Sequence, residues 1–262
     1  MTSSLFASYP SLSPKVVADF GPTTILAPHP DDESLGCGGL LALLRQAEVP
    51  VWCVLLTDGT MSHPHSQKFS AAARQALREQ ELRTALAVLG ISPDHLLPLG
   101  LPDGAATGPD TASGQVAVQR LVAFWKQHPP ATVLVPWRRD PHPDHRATSL
   151  LVQAALAELP TPPSRVLEYV VWAWERAAPA DVPQPTEVRG WQLDIAPVLA
   201  QKQQAIAAHR SQLSGSPIDD DPTGFTLAPT MLAHFAQPTE VYLEAVDGYF
   251  SSLALATHAT QS

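Results

Sequence analysis

Short apolar runs without polar alternation are the feature that most constrains the fold of this 262-residue chain. Strands that are apolar at nearly every position are buried on both faces, as in a parallel sheet covered by helices. Helical patterns separate the runs, which fits right-handed crossovers. The alternation predicts an α/β fold, a doubly wound and mainly parallel Rossmann-like sheet with helices on both faces. The strand runs are "TTILAP", "VPVWCVLLT", "HLLPLG" and "ATVLVPW".

The second half of the chain continues the pattern less regularly. After residue 165, "RVLEYVVWAW" and "GWQLDI" are typical of strands and "APVLAQKQQAIAAHRSQL" of a helix. Beyond residue 213 the pattern assigns no further element. Proline clusters such as "LPTPPS" indicate turns and not a domain break. We therefore expect one domain over residues 1–262, with a core at about 20–250.

Composition and charge narrow the class of function. A net charge of −9 without a Lys/Arg block argues against nucleic acid or an anionic membrane surface as the partner. No apolar stretch approaches the ~18 residues of a membrane span, and the N-terminus lacks the pattern of a secretory signal. Cys37 and Cys53 lie in apolar contexts, so no disulfide framework is expected. We expect a cytoplasmic protein with a small-molecule partner. The sequence is compatible with a homo-oligomer but does not reveal the oligomeric state.

Two polar clusters follow buried strand runs directly. "HPDDE" at 29–33 follows "TTILAP", and "RRDPHPDH" at 138–145 follows "ATVLVPW". Ligands of open α/β sheets bind beyond the carboxyl ends of the strands, so both clusters should open onto one edge. They face each other if their strands are neighbours. Adjacent acids repel one another unless water or a cation offsets their charge.

Each cluster also places two potential metal ligands three residues apart, His29 with Asp32 and His142 with His145. A hydrolytic zinc site needs about three N and O ligands and one position for water, whose pKa the ion lowers from 15.7 to about 7. Two histidines and one carboxylate fit this requirement. Spacing alone does not tell which of Asp31 and Asp32 binds the metal. Such a ligand set also accepts Fe²⁺, Mn²⁺ or Co²⁺.

With "PHPDDE" at 28–33 and "HPDH" at 142–145, the chain resembles the PIG-L/LmbE-like zinc N-deacetylases. The resemblance extends over most of the chain through "LTDG", "REQEL", "LGLPDG" and "KQQAIAAHRSQ". It implies a hydrolase that uses one Zn²⁺ per chain to remove the acetyl group from an N-acetylated amino sugar of the N-acetylglucosamine type, or from its conjugate. It also implies that His29, Asp32 and His145 are the zinc ligands and Asp31 the general base.

The resemblance implies further roles for four residues. His142 would be protonated and would stabilise the oxyanion or deliver a proton to the leaving amine, with Asp144 behind it tuning its pKa. Arg78 and Asp103 would bind sugar hydroxyls or the acidic network. From spacing alone, a surface salt bridge between Arg78 and Glu81 and a β-turn at Asp103 remain open.

Three other functions remain open on the sequence. An amidase for a larger acyl or thiol-sugar conjugate would use the same metal site with different pocket walls. A non-catalytic sugar-binding protein could hold a metal, although it would need no general base. A phosphoesterase would usually need two close metal ions or several basic residues.

Several conspicuous side chains are assigned structural roles. His63 and His65 are expected in a mobile loop without a buried anchor, and the three aspartates of "SGSPIDDDPTGF" in a solvated loop. Packing is the expected role of His209. Trp137 is expected nearest the site, where one tryptophan is able to stack on a sugar ring.

Overall fold

The computed structural model describes residues 6–250, so the predicted domain, 1–262, extends beyond the described residues at both ends. This range contains eight strands: β1 (Ser11–Leu12), β2 (Thr23–Ala27), β3 (Val51–Thr57), β4 (Leu96–Leu101), β5 (Thr132–Pro136), β6 (Arg165–Tyr169), β7 (Val188–Asp194) and β8 (Thr239–Ala245). Its α-helices are α1 (Asp32–Gln46), α2 (Ala71–Val88), α3 (Ala112–Gln127), α4 (Pro143–Ala157), α5 (Leu199–Ala208) and α6 (Pro229–Phe235).

The eight strands form one mixed sheet in the order β1-β7-β8-β6-β5-β2-β3-β4. Strands β2 to β6 pair in parallel, and β1 is parallel to β7. Only β8 runs against its neighbours, β6 and β7. The predicted fold class is therefore confirmed. Strand β8 is an addition, because it lies beyond residue 213, where the pattern assigned no element.

Helices cover both faces of the sheet. Along β2, Ile25 and Ala27 pack into one apolar cluster with residues of α1, α2 and α5, whereas Leu26 packs into a second cluster with α3 and α4. Successive side chains of a strand point to opposite faces, so a strand between two helical layers must be apolar throughout. This burial explains the uninterrupted apolar runs of the sequence.

The direction of winding reverses between β2 and β5. From β2 the chain proceeds through β3 to β4 at one edge, then returns to β5 on the other side of β2. Ile25 of β2 is paired with Leu134 of β5. The two polar clusters therefore leave neighbouring parallel strands at a topological switch point, where ligands of such sheets bind. The clusters face each other across it.

Two predicted elements end earlier than expected. The strand assigned to "RVLEYVVWAW" stops at Tyr169, and a 3-10 turn at Trp172–Trp174 follows. Helix α5 ends at Ala208, because His209 has φ −80° and ψ 56°, outside the helical region. Both breaks bring side chains from the end of an element towards the switch point. Between residues 6 and 250, no helix has the length and apolarity that crossing a bilayer requires.

Gly36 of α1 provides a test of how tightly this layer packs. A Cβ added there would lie 2.3 Å from Tyr169 Cδ2, and the Tyr169 hydroxyl is fixed by donating to the Leu26 carbonyl over 2.7 Å. We predict that Gly36→Ala lowers the free energy of unfolding by about 1–3 kcal/mol, because overpacking outweighs the gain in helix propensity. Urea denaturation measures the change.

Gly38→Ala is the matched control in the same helix. Its added Cβ would lie 3.0 Å from Lys202 Cγ, a looser approach than the 2.3 Å at Gly36. We expect this variant to stay within about 1 kcal/mol of the parent protein. Equal stability of the two variants would contradict the packing assigned to Tyr169.

Candidate metal centre

His29 is fixed immediately beyond β2. Its backbone N–H donates to Asp32 Oδ2 over 2.9 Å, and its ring Nδ1 lies 3.2 Å from the same oxygen. The carbonyl of the preceding Pro28 accepts hydrogen bonds from the N–H and hydroxyl of Thr57 on the neighbouring strand β3. The loop therefore presents the imidazole and the carboxylate together at the start of α1.

Asp32 connects the two polar clusters. Its Oδ2 atom lies 3.2 Å from His29 Nδ1 and also 3.2 Å from His145 Nε2 in the first turn of α4. All three side chains are buried. Two ligands bound about 2.0–2.1 Å from a tetrahedral zinc ion are roughly 3.3–3.5 Å apart, so both distances suit groups that share one cation.

The hydrogen bonding of His145 also fits a metal ligand. Both ring nitrogens are fully buried, and neither makes a hydrogen bond of good geometry among the described residues. Nδ1 lies 3.4 Å from Asp140 Oδ1, a carboxylate suited to orient a ligating imidazole. A buried imidazole without a hydrogen-bond partner is costly unless a cation binds it. The residues present therefore fit a metal ion.

Two triads of this cluster bring one potential ligand atom from each member within 4.8 Å of the others, and Asp32 is in neither of them. His29, His142 and His145 form one, and His29, Asp103 and Asp144 form the other. Because the possible ligand sets share His29, the geometry supports a single cation at this cluster. Which set binds it depends on which ring nitrogens of the histidines are not already hydrogen-bonded.

Asp144 requires a correction to the sequence analysis. It was expected behind His142, but its Oδ2 lies 2.9 Å from His29 Nε2. The N–H groups of Gly104 and Ala106 also donate to this carboxylate. The carboxylate therefore orients His29, leaving Nδ1 of that ring towards Asp32. Only the backbone N–H of Asp144 contacts His142, donating to its Nδ1.

The ionisation of the cluster follows from these contacts. Burial would lower the pKa of His29, but hydrogen bonds with Asp103, Asp144 and Asp32 raise it well above its usual value. Burial would lower the pKa of His145 too, but the charges of Asp32 and Asp140 and the contact with Asp32 together raise it. Conversely, burial raises the pKa of Asp32, but the two histidines lower it below its usual range. The metal-free centre therefore favours an ionised carboxylate between two protonated imidazoles.

His142 differs from the expectation of a protonated imidazole. Burial, together with the charges of His29 and His145, lowers its pKa to about 4. A metal ion bound to those histidines would repel a proton on His142 in the same way. Its ring lies 4.6 Å from the His29 ring. His142 is therefore a neutral imidazole at neutral pH, with Nδ1 accepting from Asp144 and Nε2 carrying the proton.

Asp31 occupies a strained backbone position at the start of α1. Its φ of 140° lies in a region that side chains other than glycine rarely adopt. Burial and the neighbouring Asp32 raise the pKa of its carboxyl to about 7, and the Arg78 guanidinium, 3.6 Å away, opposes the rise. The conformation thus places a carboxylate of near-neutral pKa beside the candidate ligands.

Glu33 and His209 form a buried pair that the sequence analysis did not connect. Glu33 Oε2 accepts the N–H of Asp31 over 3.1 Å, and Glu33 Oε1 lies 2.8 Å from His209 Nε2. The pair ties the strained turn to the break after α5. His209 was expected to pack, and its buried ring does so while also holding Glu33. The "PHPDDE" and "AAHRSQ" motifs carry the two residues, but nothing in their spacing predicts the contact.

Arg78 is directed into the site and does not form a surface salt bridge with Glu81. Its guanidinium is buried and donates to the carbonyls of Gly59 and Pro30. Glu81 instead accepts from the N–H and hydroxyl of Ser211. The expected alternative of an exposed pair is therefore wrong, since both side chains face the interior.

Asp103 forms a turn and faces the site at once. Its Oδ2 accepts the N–H of Met61 over 2.8 Å, and Oδ1 lies 3.3 Å from His29 Nε2. Burial would raise its pKa, but His29 and Arg78 lower it to about 2. Asp103 is therefore an ionised acceptor at the floor of the cavity.

An open cavity of about 230 Å³ leads from this cluster to the surface. Its floor includes His29, Asp31, Asp32, Asp103 and His142. Its walls come from distant segments of the chain, namely Leu35, Met61, Ser62, Trp172, Arg176, Gln212, Phe225 and Leu227. The wall tryptophan is Trp172. The expectation for Trp137 is wrong, because its ring is fully buried in another apolar cluster.

The wall segment around Ser62 has a buried anchor, contrary to expectation. His63 is 2% exposed, and a Cβ added to Gly224 would lie 2.0 Å from its ring. Asp220 accepts the N–H groups of Gln67 and Lys68. The expected solvated loop of aspartates therefore holds the segment that contains His63 in place.

Comparisons with known proteins show the family of this chain. The family model described as "PIG-L: GlcNAc-PI de-N-acetylase" matches residues 24–156, which include both polar clusters. The chain belongs to the PIG-L family. This PIG-L chain is 31% identical over 196 residues to a probable N-acetyl-alpha-D-glucosaminyl L-malate deacetylase 2 of Bacillus subtilis, covering 73% of this chain and 83% of the relative.

Two further relatives of the PIG-L chain are chitobiose deacetylases. The diacetylchitobiose deacetylase of Thermococcus kodakarensis is 26% identical over 193 residues, covering 71% of this chain and 68% of the relative. The solved N,N'-diacetylchitobiose deacetylase of Pyrococcus horikoshii has a TM-score of 0.63 at 21% identity, covering 95% of this chain and 88% of that chain. The latter likeness supports the fold.

The strain at Asp31 predicts an unusual stability order. Asp31→Gly should have a free energy of unfolding about 1 kcal/mol higher than Asp31→Asn, because glycine relieves the strain at φ 140° while losing chain entropy on folding. Both variants lack the ionisable group, so their comparison isolates the backbone. Chemical denaturation of the metal-free proteins at one pH makes the measurement. A less stable glycine variant would contradict the strained conformation.

Proton release should accompany metal binding. The raised pKa values of His29 and His145 favour protonated rings in the metal-free protein, whereas a metal needs neutral nitrogens. We predict that zinc affinity falls as the pH is lowered from about 8 to 6. Calorimetry in buffers of different ionisation enthalpy counts the protons. If zinc bound at the lower pH without releasing protons, this result would contradict the raised pKa values of His29 and His145.

Proposed function

We propose that this protein is a zinc-dependent hydrolase that removes the acetyl group from an N-acetylated amino sugar of the N-acetylglucosamine type. The observation that carries the proposal is the juxtaposition of Asp31 with the buried cluster of His29, Asp32 and His145. Of these residues, His29, Asp31 and Asp32 line the floor of one cavity. Membership of the PIG-L family and relatives with deacetylase names support this reading.

His29, Asp32 and His145 would hold the zinc ion. The ion would supply Lewis acidity towards the amide carbonyl and lower the pKa of a water molecule. Asp144 and Asp140 would orient the two imidazoles through the ring nitrogens that face away from the ion. The negative charge of Asp32 would offset half of the dication, which favours a buried ion at this position.

Asp31 would accept the proton from the attacking water. A base works best when its pKa is close to the operating pH, and burial beside Asp32 raises the pKa of Asp31 to about 7. Arg78 would keep this carboxylate in place, since it contacts Asp31 and donates to the Pro30 carbonyl. The strained backbone would direct the carboxylate towards the cavity.

His142 would stabilise the oxyanion as a neutral donor. Its Nδ1 accepts from the Asp144 N–H, which leaves Nε2–H as the donating side of the ring. With His142 uncharged, the proton taken up by Asp31 is the one available for the leaving nitrogen. The balanced reaction is water plus the acetamide giving acetate and the free amine, with Asp31 acting first as base and then as acid.

Asp103 and Arg78 would recognise the sugar from the floor of the cavity. Asp103 is an ionised acceptor for hydroxyl groups, and Arg78 lies 3.7 Å from it. The apolar faces of Trp172 and Phe225 would cover the ring of the sugar, as aromatic side chains do in amphipathic sites. We place the sugar between these two surfaces.

Replacement of Asp31 separates base catalysis from metal binding. We predict that Asp31→Ala lowers kcat by about 10²- to 10⁴-fold, the usual contribution of a general base. Its zinc content should match that of the parent protein, since Asp31 lies outside the ligand set. Acetate release from methyl N-acetylglucosaminide and zinc content by atomic absorption are the two measurements.

His145→Ala is the counterpart, which we expect to lose both zinc and activity. Loss of zinc in the Asp31 variant to the same degree would contradict the assigned roles. Failure of the zinc-loaded parent protein to release acetate from any N-acetylglucosamine compound would overturn the proposed function.

A further inference from the structure

Arg176 is a cation at the rim of the cavity that the proposed reaction does not use. It follows the 3-10 turn at Trp172–Trp174, and its backbone N–H donates to the Trp172 carbonyl over 2.9 Å. Its guanidinium lies 4.3 Å from the centroid of the Trp172 ring. A planar guanidinium stacked on an indole is held in a preferred orientation without losing its hydrogen-bond donors.

The guanidinium of Arg176 differs from the other arginines near the site. Arg78 and Arg74 donate to backbone carbonyls, whereas Arg138 and Arg139 form ion pairs with carboxylates. Within residues 6–250, Arg176 stacks on Trp172 and forms no ion pair. It is exposed and lines the cavity, so it borders the space that a ligand would enter.

Arg176 lies at the rim of the cavity, whereas the candidate metal centre lies at its floor. The rings of His142 and Trp172 stack with centroids 6.5 Å apart. The side chains of His142, Trp172 and Arg176 therefore run in sequence from the floor of the cavity to its rim. The aglycone of an N-acetylglucosaminide is attached to C1, next to the carbon that bears the acetamide. An acetamide bound at the metal centre would therefore keep the aglycone inside the same cavity, whose rim includes Arg176.

We propose that Arg176 binds an anionic group, a carboxylate or a phosphate, on the aglycone of the substrate. This inference rests on the proposed function and narrows its substrate class to N-acetylglucosaminides with a negatively charged substituent. A guanidinium matches both anions through paired N–H donors. The carboxylates Asp31, Asp32 and Asp103 at the floor repel such a group, so the two ends of the cavity together set the orientation of the substrate.

The net negative charge of the protein means that binding an anionic substrate depends on a cation inside the cavity. A chain with a net charge of −9 repels anionic ligands at long range. A preference for a charged substrate therefore requires a local cation free of an internal partner, which Arg176 provides.

The test compares three substrates on the zinc-loaded protein: neutral methyl N-acetylglucosaminide, N-acetylglucosaminyl malate and N-acetylglucosamine 1-phosphate. We expect a higher kcat/KM for one or both anionic compounds than for the neutral one. Arg176→Gln should lower kcat/KM for the anionic compounds by roughly 10- to 100-fold, as for loss of a charge-assisted hydrogen bond. It should leave the neutral compound within about twofold, and Arg176→Lys should recover part of the loss.

Arg189→Gln is the matched control. It removes the same charge from an exposed arginine of β7, which pairs with Glu244 away from the cavity. We expect this variant to leave kcat/KM unchanged for the anionic compounds and for the neutral one. A malate-selective or phosphate-selective loss in Arg176→Gln identifies which anion is bound. Equal loss for charged and neutral compounds, or no preference in the parent protein, would overturn the assignment.

A binding measurement separates this inference from the proposed function. Calorimetry of the three compounds with the Asp31→Asn protein reports affinity whether or not any of them is hydrolysed. Tighter binding of an anionic compound that Arg176→Gln abolishes in this background supports the assignment even if the parent protein releases no acetate. Equal affinity for the three compounds overturns it while leaving the deacetylase proposal intact.

Discussion

One carboxylate oxygen, Asp32 Oδ2, lies 3.2 Å from imidazoles that belong to two distant segments of the chain. This contact depends on β2 and β5 being adjacent, which the reversal of winding at β2 provides. It also depends on helices α1 and α4 starting within the polar clusters, so that positive ends of helix dipoles face the acids. The candidate metal centre is thus a consequence of the sheet order.

Much of the fold was predictable from the apolar runs of the sequence. Strands buried on both faces leave a strong apolar signal, and each polar cluster follows such a strand directly. The partnership of His29 with Asp32 is local and follows from spacing. By contrast, β8 lies among short, mixed segments where no periodicity separates strand from turn, and its pairing depends on neighbours far away in the sequence.

The details of the site were less predictable because they depend on orientation. Spacing brings Asp144 close to His142 alone, and only the fold decides that its carboxylate meets His29. The neutral state of His142 follows from its burial among charges that other segments supply. Similarly, the walls of the cavity come from Trp172, Arg176 and Phe225, residues whose relation to the floor exists only in three dimensions.

The candidate metal centre contains backbone strain and buried polar groups without hydrogen bonds, two features that lower the stability of a folded protein. Asp31 is strained, and His145 is buried without hydrogen-bond partners among the described residues. Glu33 and Arg78 hold the strained turn from opposite sides, through its N–H and through the preceding carbonyl. Three neighbouring acids are tolerated at this point because each has its own partner: Arg78 faces Asp31, His209 contacts Glu33, and a bound cation would offset Asp32.

The most direct test is the position of zinc in crystals of the loaded protein, located by anomalous scattering at the zinc edge. We predict one peak within about 2.0–2.2 Å of His29 Nδ1, Asp32 Oδ2 and His145 Nε2. A peak bound instead by His29, Asp103 and Asp144, or a cluster without zinc, would contradict it.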